Sequence, residues 1–252
     1  MAIDEAIAIA FSEGRAPETL RLYRWEKPSF SIGAFQKLEE DWIASLEAQN
    51  IGIVRRMTGG RGLLHDNELT YSVISSTNDP LFSAGIKGTF QSIAEGLLSG
   101  LRKLGVEAVL HTPARNLRPP QKNPLCFDAV SWYEITARGR KLIGSAQRRW
   151  KTHFLQHGAL IIKQSGILNH QPEAFPSNLI SENQITLAEL MNTPPSHALL
   201  VQALKAGFED ALSFTLKPGR LSDHENTLVQ QCLKERYGRH TWNLYRDKMG
   251  KT

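Results

Sequence analysis

Residues 55–75 read RRMTGGRGLLHDNELTYSVIS, and their order decides the fold. A short strand over 52–56 runs into the Gly-rich loop Thr58-Gly59-Gly60-Arg61-Gly62. Glycines let a backbone approach a ligand closely and turn its N–H groups toward an acyl oxygen or a phosphate. Arg55, Arg56 and Arg61 beside such a loop suit an anionic group. The spacing is not that of a Walker loop, since no Gly-Lys-Ser/Thr follows, and it is not GxGxxG. A tight turn with solvated arginines fits the same residues. Past His65 and Asp66, the run 68–75 is rich in β-branched and aromatic residues and reads as a strong strand.

Working outward, residues 1–13 place Ile3, Ile7 and Ala10 at helical spacing, and Gly14 stops the helix. Residues 20–25 alternate and read as a strand, and 29–35 (SFSIGAF) as a second one after the turn at Pro28. Residues 38–49 present Leu38, Trp42, Ile43 and Leu46 on one helical face. Downstream, 87–104 is a long amphipathic helix ended by Gly105, and 106–110 a strand. Four prolines make 111–125 a loop. Runs 131–136 and 141–147 form two strands about the turn Arg138-Gly139-Arg140, and 154–162 a further strand around Gln156-His157-Gly158. Beyond about residue 165, Pro, Asn and Ser thicken, and 187–191, 197–212 and 227–237 look helical. The expectation is an α/β (α+β) domain over 1–165, with a mostly helical section, 166–252, packed on it.

Composition bounds the function. The chain of 252 residues suits one large domain, with 41% hydrophobic and 22% charged residues, ordinary for a globular protein. Mean hydropathy is -0.31 and no apolar run reaches the length of a membrane span. Asp4 and Glu5 near the start do not fit a secretory signal. Two cysteines without a CxxC pair point to a reducing, cytoplasmic setting. The net charge of +5 comes from residues spread along the chain, not interleaved with aromatics on one strand. That argues against a nucleic-acid partner and fits an acidic protein partner. His153 and His157 lie four apart in a strand, and no Cys, His and acid cluster has zinc spacing, so neither a metal nor a cofactor is expected.

Cys126 follows the Pro-rich loop and precedes a strand, where a pocket wall could present it. A thiol attacks only as thiolate, and a nearby cation lowers its pKa. Lys141 lies 15 residues on, across the expected hairpin, so the two could meet. An inert buried cysteine, and a surface lysine snorkelling from a hairpin, fit these residues as well. The small residues Gly144, Ser145 and Ala146 after Lys141 leave room for a chain. Cys232 sits on an apolar helical face with Leu228 and reads as structural.

The succession MAIDEA, LRLYRW, SIGAFQ, RRMTGGRGLLHD with ELTYSV, CFDAVSWYEI, GRKLIGSAQRR and LQHGALII resembles the lipoate–protein ligase A/B superfamily, over nearly the whole chain. The resemblance implies a biotinyl/lipoyl ligase-like fold, a mixed β-sheet flanked by helices with an acyl pocket at its edge. ATP-dependent ligases of this superfamily, which form lipoyl-AMP, carry three successive glycines and an Asn-Asp pair before the lysine. Here Arg61 replaces the third glycine and Ala129-Val130 the pair. The LipM-type octanoyltransferases are closer, with Gly-Gly-Arg, Glu-Leu-Thr-Tyr-Ser and Cys-Phe before Ser-Trp-Tyr-Glu. What they imply is octanoyl transfer from octanoyl-acyl carrier protein to a lysine of a lipoyl carrier domain, such as the glycine-cleavage H protein. Cys126 would carry the acyl group as a thioester and Lys141 would lower its pKa. Arg55, Thr58, Gly59, Gly60, Arg61, His65, Gly144, Ser145, Ala146, His157 and Gly158 would bind substrate. Relatives of this kind usually have some 20 or more residues, including a strand, ahead of the MAIDEA-like helix, so the expectation is either a missing sheet edge or a misassigned start. An ATP-dependent ligase and a non-catalytic carrier-protein-binding module are the alternatives.

Overall fold

Why the run after the Gly loop is so apolar becomes clear in the computed structural model, which describes residues 1–111, 134–167 and 183–246. In chain order the elements are α1 (Ala2–Ser12), β1 (Thr19–Tyr23), β2 (Ser29–Ile32), α2 (Glu40–Ala48), β3 (Gly52–Arg55), β4 (Leu63–His65), β5 (Glu68–Ser76) and α3 (Gly85–Lys103). There follow β6 (Val109–His111), β7 (Glu134–Ala137), β8 (Arg140–Arg149), β9 (His153–Ile161), α4 (Leu187–Leu190), α5 (His197–Leu212) and α6 (Asp223–Cys232). A π-helical turn, Leu233–Tyr237, then leads to α7 (His240–Tyr245).

Six strands form one antiparallel sheet in the order β1-β5-β9-β8-β7-β6. A second, three-stranded sheet has β2 at its centre, parallel to β3 and antiparallel to β4. Strand β5 is buried along all but its last residue because both of its faces are covered. Leu69, Tyr71 and Val73 point into a core with Ile93, Leu97 and Leu101 of α3 and Leu200, Leu204 and Phe208 of α5. On the opposite face Ile74 packs with Ile7 and Ala8 of α1. The alternation follows from the two-residue period of a strand. The small sheet has its own core of Phe30, Ile32, Trp42, Leu46 and Ile51.

Several boundaries differ from the sequence reading. The strand expected over 29–35 ends at Ile32. Gly33 begins a turn there, and the Ala34 N–H crosses to the Thr58 carbonyl at 2.8 Å. The helix expected over 227–237 begins at Asp223, because Ser222 and Glu225 form a reciprocal capping box. The strand expected over 106–110 starts at Val109. Strand β4 and helix α7 were not foreseen. The Pro-rich loop, Cys126 and residues 131–133 lie outside the described residues. Among the described residues no helix is long and apolar enough to cross a membrane.

Candidate active site

The Gly loop folds over the edge of β8 and β9 and leaves a cleft of roughly 350 Å³, counting its open mouth. One wall is Gly144, Ser145 and Ala146 of β8 with His157 and Gly158 of β9. The facing wall is Ser31, Arg56, Arg61, Leu63 and His65. Among the described residues the pairing of β7 with β8 ends at Ile143. Gly158 is obligatory: a Cβ there would stand 2.5 Å from the Gly144 carbonyl oxygen and 2.6 Å from the Tyr71 ring.

Two buried arginines precede the loop, and the second of them holds it. Arg55, 2% exposed, donates to the carbonyls of Gly33, Gln36, Trp242 and Leu244, at 2.5 to 3.2 Å. Arg56 donates through Nη1 to the Ser31 carbonyl and hydroxyl, both at 2.9 Å. Its Nη2 donates to the carbonyls of Gly59 at 3.0 Å and Arg61 at 2.9 Å. Neither is the solvated arginine that a bare turn would carry. Gly60 takes φ +92°, a conformation that strains any residue with a Cβ.

Each of two histidines in the cleft is set between a hydroxyl and a carboxylate. His157 Nε2 lies 2.7 Å from Thr58 Oγ1, and its Nδ1 faces Asp4 at 3.9 Å. His65 Nε2 lies 2.7 Å from Ser31 Oγ, and its Nδ1 2.8 Å from Glu68 Oε1. Burial lowers the pKa of both rings against the pull of their carboxylates, Glu68 for His65 and Asp4 for His157. Both imidazoles are therefore neutral near pH 7. Asp4 itself accepts from Arg21 at 2.7 Å, Tyr23 at 2.8 Å and Ser72 at 2.9 Å. Burial works against its charge, yet neighbouring positive charge, Arg21 included, holds its carboxyl well below the usual range.

Lys141 is not a surface lysine. It is fully buried in β8, with its ammonium ion-paired to Glu134 of β7. Its main chain is pinned from the other side, the N–H donating to the Asn183 carbonyl and the carbonyl accepting from Ile185. A buried ion pair of this kind demands that both partners stay. Cys232 is buried and free, and burial pushes its thiol up to about 11.

Of the site residues expected from sequence, Arg61, His65, Gly144, Ser145, Ala146, His157 and Gly158 line the cleft. Thr58 and Gly60 stand directly behind it, the first on His157 and the second near Ala146. Gly59 reaches it through its carbonyl on Arg56. Arg55 is turned away, toward the C-terminal residues, and Lys141 is buried in β8 and does not line the cleft. Cys126 falls outside the described residues. Sequence reasoning missed Ser31, Asp4, Glu68 and Glu134 as members of the site. Glu68 and Glu134 left a signal in the motifs Glu-Leu-Thr-Tyr-Ser and Ser-Trp-Tyr-Glu, and a hairpin turning at 138–139 also brings positions 134 and 141 onto neighbouring strands.

The family model of the lipoyl protein ligase A/B catalytic domain matches residues 1–209. The chain is 39% identical to octanoyltransferase LipM of Halalkalibacterium halodurans, over 97% of this chain and 93% of that protein. It is 40% identical to octanoyltransferase LipM of Kyrpidia tusciae, over 96% and 93%. Among solved structures it is similar to a T. acidophilum protein with bound lipoic acid, at TM-score 0.78 and 25% identity, over 96% of this chain and 92% of that one. A lipoate-protein ligase A bound with ATP superposes at TM-score 0.77, also at 25% identity, with the same coverage.

Proposed function

The chain belongs to the lipoyl protein ligase A/B catalytic-domain family, and from that premise we propose that it is an octanoyltransferase of lipoate biosynthesis. The donor is octanoyl-acyl carrier protein, whose acidic surface meets the basic chain. The acceptor is a lysine of a lipoyl carrier domain, the glycine-cleavage H protein being the first candidate. The likeness to two octanoyltransferases over nearly the full length carries this reading.

The Cys126 thiolate attacks the donor thioester, the carrier leaves as its thiolate, and the octanoyl group rests on Cys126. The acceptor amine then displaces Cys126 and forms the amide. Lys141 is buried in β8 and ion-paired with Glu134. Its charge favours the thiolate of a thiol brought near it. Backbone N–H groups around Gly59 and Gly60 serve the developing oxyanion. The acyl tail lies along Gly144 to Ala146, gaining about 0.8 kcal/mol for each buried CH₂. Thioester to amide runs downhill, so the scheme uses no nucleotide.

The test is the intact mass of the protein after mixing with octanoyl-acyl carrier protein, without ATP. An octanoyl adduct that is absent from Cys126→Ala, followed by transfer to the carrier domain, supports the scheme. An active Cys126→Ala protein sinks the thioester. The likeness to an ATP-bound ligase favours one second reading, a lipoate–protein ligase. Modification of the carrier domain by lipoate and ATP, and not by octanoyl-acyl carrier protein, would select it. Complex formation without turnover of either substrate would select a binding module.

A further inference from the structure

Past the cleft, β8 runs into a rim of like charge. Arg148 stands two residues beyond Ala146 and so shares its face of the strand. Its Nη1 lies 3.5 Å from the Met57 carbonyl, at the entry to the Gly loop, and its guanidinium covers the Trp150 ring at 4.8 Å. Arg246, at the end of α7, lies over the Phe35 ring at 4.4 Å. Phe35 is nevertheless 75% exposed. It belongs to the turn whose Ala34 N–H holds the Thr58 carbonyl, and Arg55 ties the carbonyls of that turn to the Leu244 carbonyl. The aromatic ring is thus mounted on the same framework as the Gly loop. Burial lowers the pKa of Arg55 and of Arg148, and the charge of Arg246 lowers both further. Among the described residues neither Arg148 nor Arg246 has a carboxylate within ion-pair distance, although Arg21, Arg140 and Arg236 each have one.

Two guanidiniums held near each other without a counter-ion repel, and an anionic partner relieves the repulsion. An exposed aromatic ring under an arginine has the composition of a protein interface. We propose that Phe35, Arg148 and Arg246 form the surface on which the acidic donor carrier protein docks. The proposal rests on the reading above that the donor is octanoyl-acyl carrier protein. Carboxylates of the carrier meet Arg148 and Arg246, an apolar side chain of the carrier covers Phe35, and the acyl arm passes Ala146 into the cleft. Exposed Glu39, Glu40 and Asp41 at the head of α2 follow Phe35 closely in the chain and repel a carrier that lands on the α2 side. Charge and apolar contact together fix which way the arm points. No covalent step is added, since the rim acts on encounter and on residence, before the acyl group moves.

The test measures binding and needs no turnover. The probe is fluorescently labelled acyl carrier protein charged with octanoate through an amide in place of the thioester, so that it binds without reacting, and anisotropy gives Kd. Arg246→Glu and Arg148→Glu each raise Kd about tenfold at low salt, and Arg246→Lys stays near wild type. Wild-type binding weakens as NaCl rises, and Arg246→Glu flattens that dependence. Arg246 is exposed and donates no side-chain hydrogen bond among the described residues, so it answers the question if Arg148→Glu does not fold. Lys217→Glu carries the same change of net charge on the segment after α5, which packs on the opposite face of the sheet, and leaves Kd unchanged. Wild-type affinity in Arg246→Glu, or an equal loss in Lys217→Glu, overturns the rim as the docking surface. So does a loss confined to binding of the lipoyl carrier domain, which would hand the rim to the acceptor. No binding of the probe by the wild-type protein at all overturns the donor reading and the rim together, a result distinct from tight binding that the variants leave untouched.

Discussion

Lys141 shows how strongly one buried charge constrains its surroundings. Lys141→Ala strands Glu134 in the interior, and losing one member of a buried pair costs about 3–5 kcal/mol. We expect a clear fall in the urea midpoint, with Glu134→Gln falling by a comparable amount. The effect on the thiol is read in a Cys232→Ser background, by iodoacetamide alkylation of Cys126 against pH. Lys141→Arg keeps the charge and should hold the alkylation midpoint nearer to wild type than Lys141→Ala. Equal midpoints in all three would confine Lys141 to packing. The histidines give a second expectation. His65 and His157 have folded pKa values below the unfolded value of about 6.5. Below that value the unfolded chain binds protons that the folded one refuses. Their contribution is therefore full above about pH 6.5 and is lost as pH falls toward the folded pKa. Urea titrations between pH 8 and 5 should show this decline, and a double His65→Gln, His157→Gln variant should flatten it.

At the scale of elements, the strand pair β8–β9 sets the cleft floor by keeping the two backbones in near contact. Gly158→Ala puts a methyl against the Gly144 carbonyl and the Tyr71 ring. The overpacking should cost about 1–3 kcal/mol, visible as a lowered melting temperature, with transfer activity lost along with it. Helix α6 offers a control remote from the cleft. Ser222→Ala removes a capping hydroxyl and should cost about 1 kcal/mol while leaving transfer intact. The strands and long helices were legible because their periodicity is strong: α5 has the limits that its apolar spacing gave. Strand β4 was hidden in a glycine-rich stretch, where its partner β2 decides and local composition does not. The site was legible where it follows the Gly loop and the small residues of β8. Ser31 and Asp4 were not, since a serine in a strand and an acid in a first helical turn are unremarkable until tertiary packing places them beside histidines.

At the scale of the molecule, the Gly loop is tied to residues at the far end of the chain. Arg55 binds the carbonyls of Trp242 and Leu244, and the Asn243 side chain accepts from the Arg55 N–H at 3.2 Å. The Tyr237 hydroxyl donates to Glu5 at 2.6 Å, and Arg236 ion-pairs with the same carboxylate. The family model stops at residue 209, so the clasp comes from sequence beyond the matched stretch. A chain ended after residue 239 should keep its sheet but gain protease cleavage within 56–62, detected by mass after brief digestion.

This clasp also places the site in time. Arg55 and the Leu244 carbonyl are 189 residues apart. At about 5–20 residues per second, roughly 10–40 seconds of synthesis separate the arginine from its partner. Throughout that interval the strands around the loop can pair, yet the guanidinium has no carbonyls from α7 to bind. A ribosome-bound chain thus carries an unfinished clasp until α7 has left the ribosome.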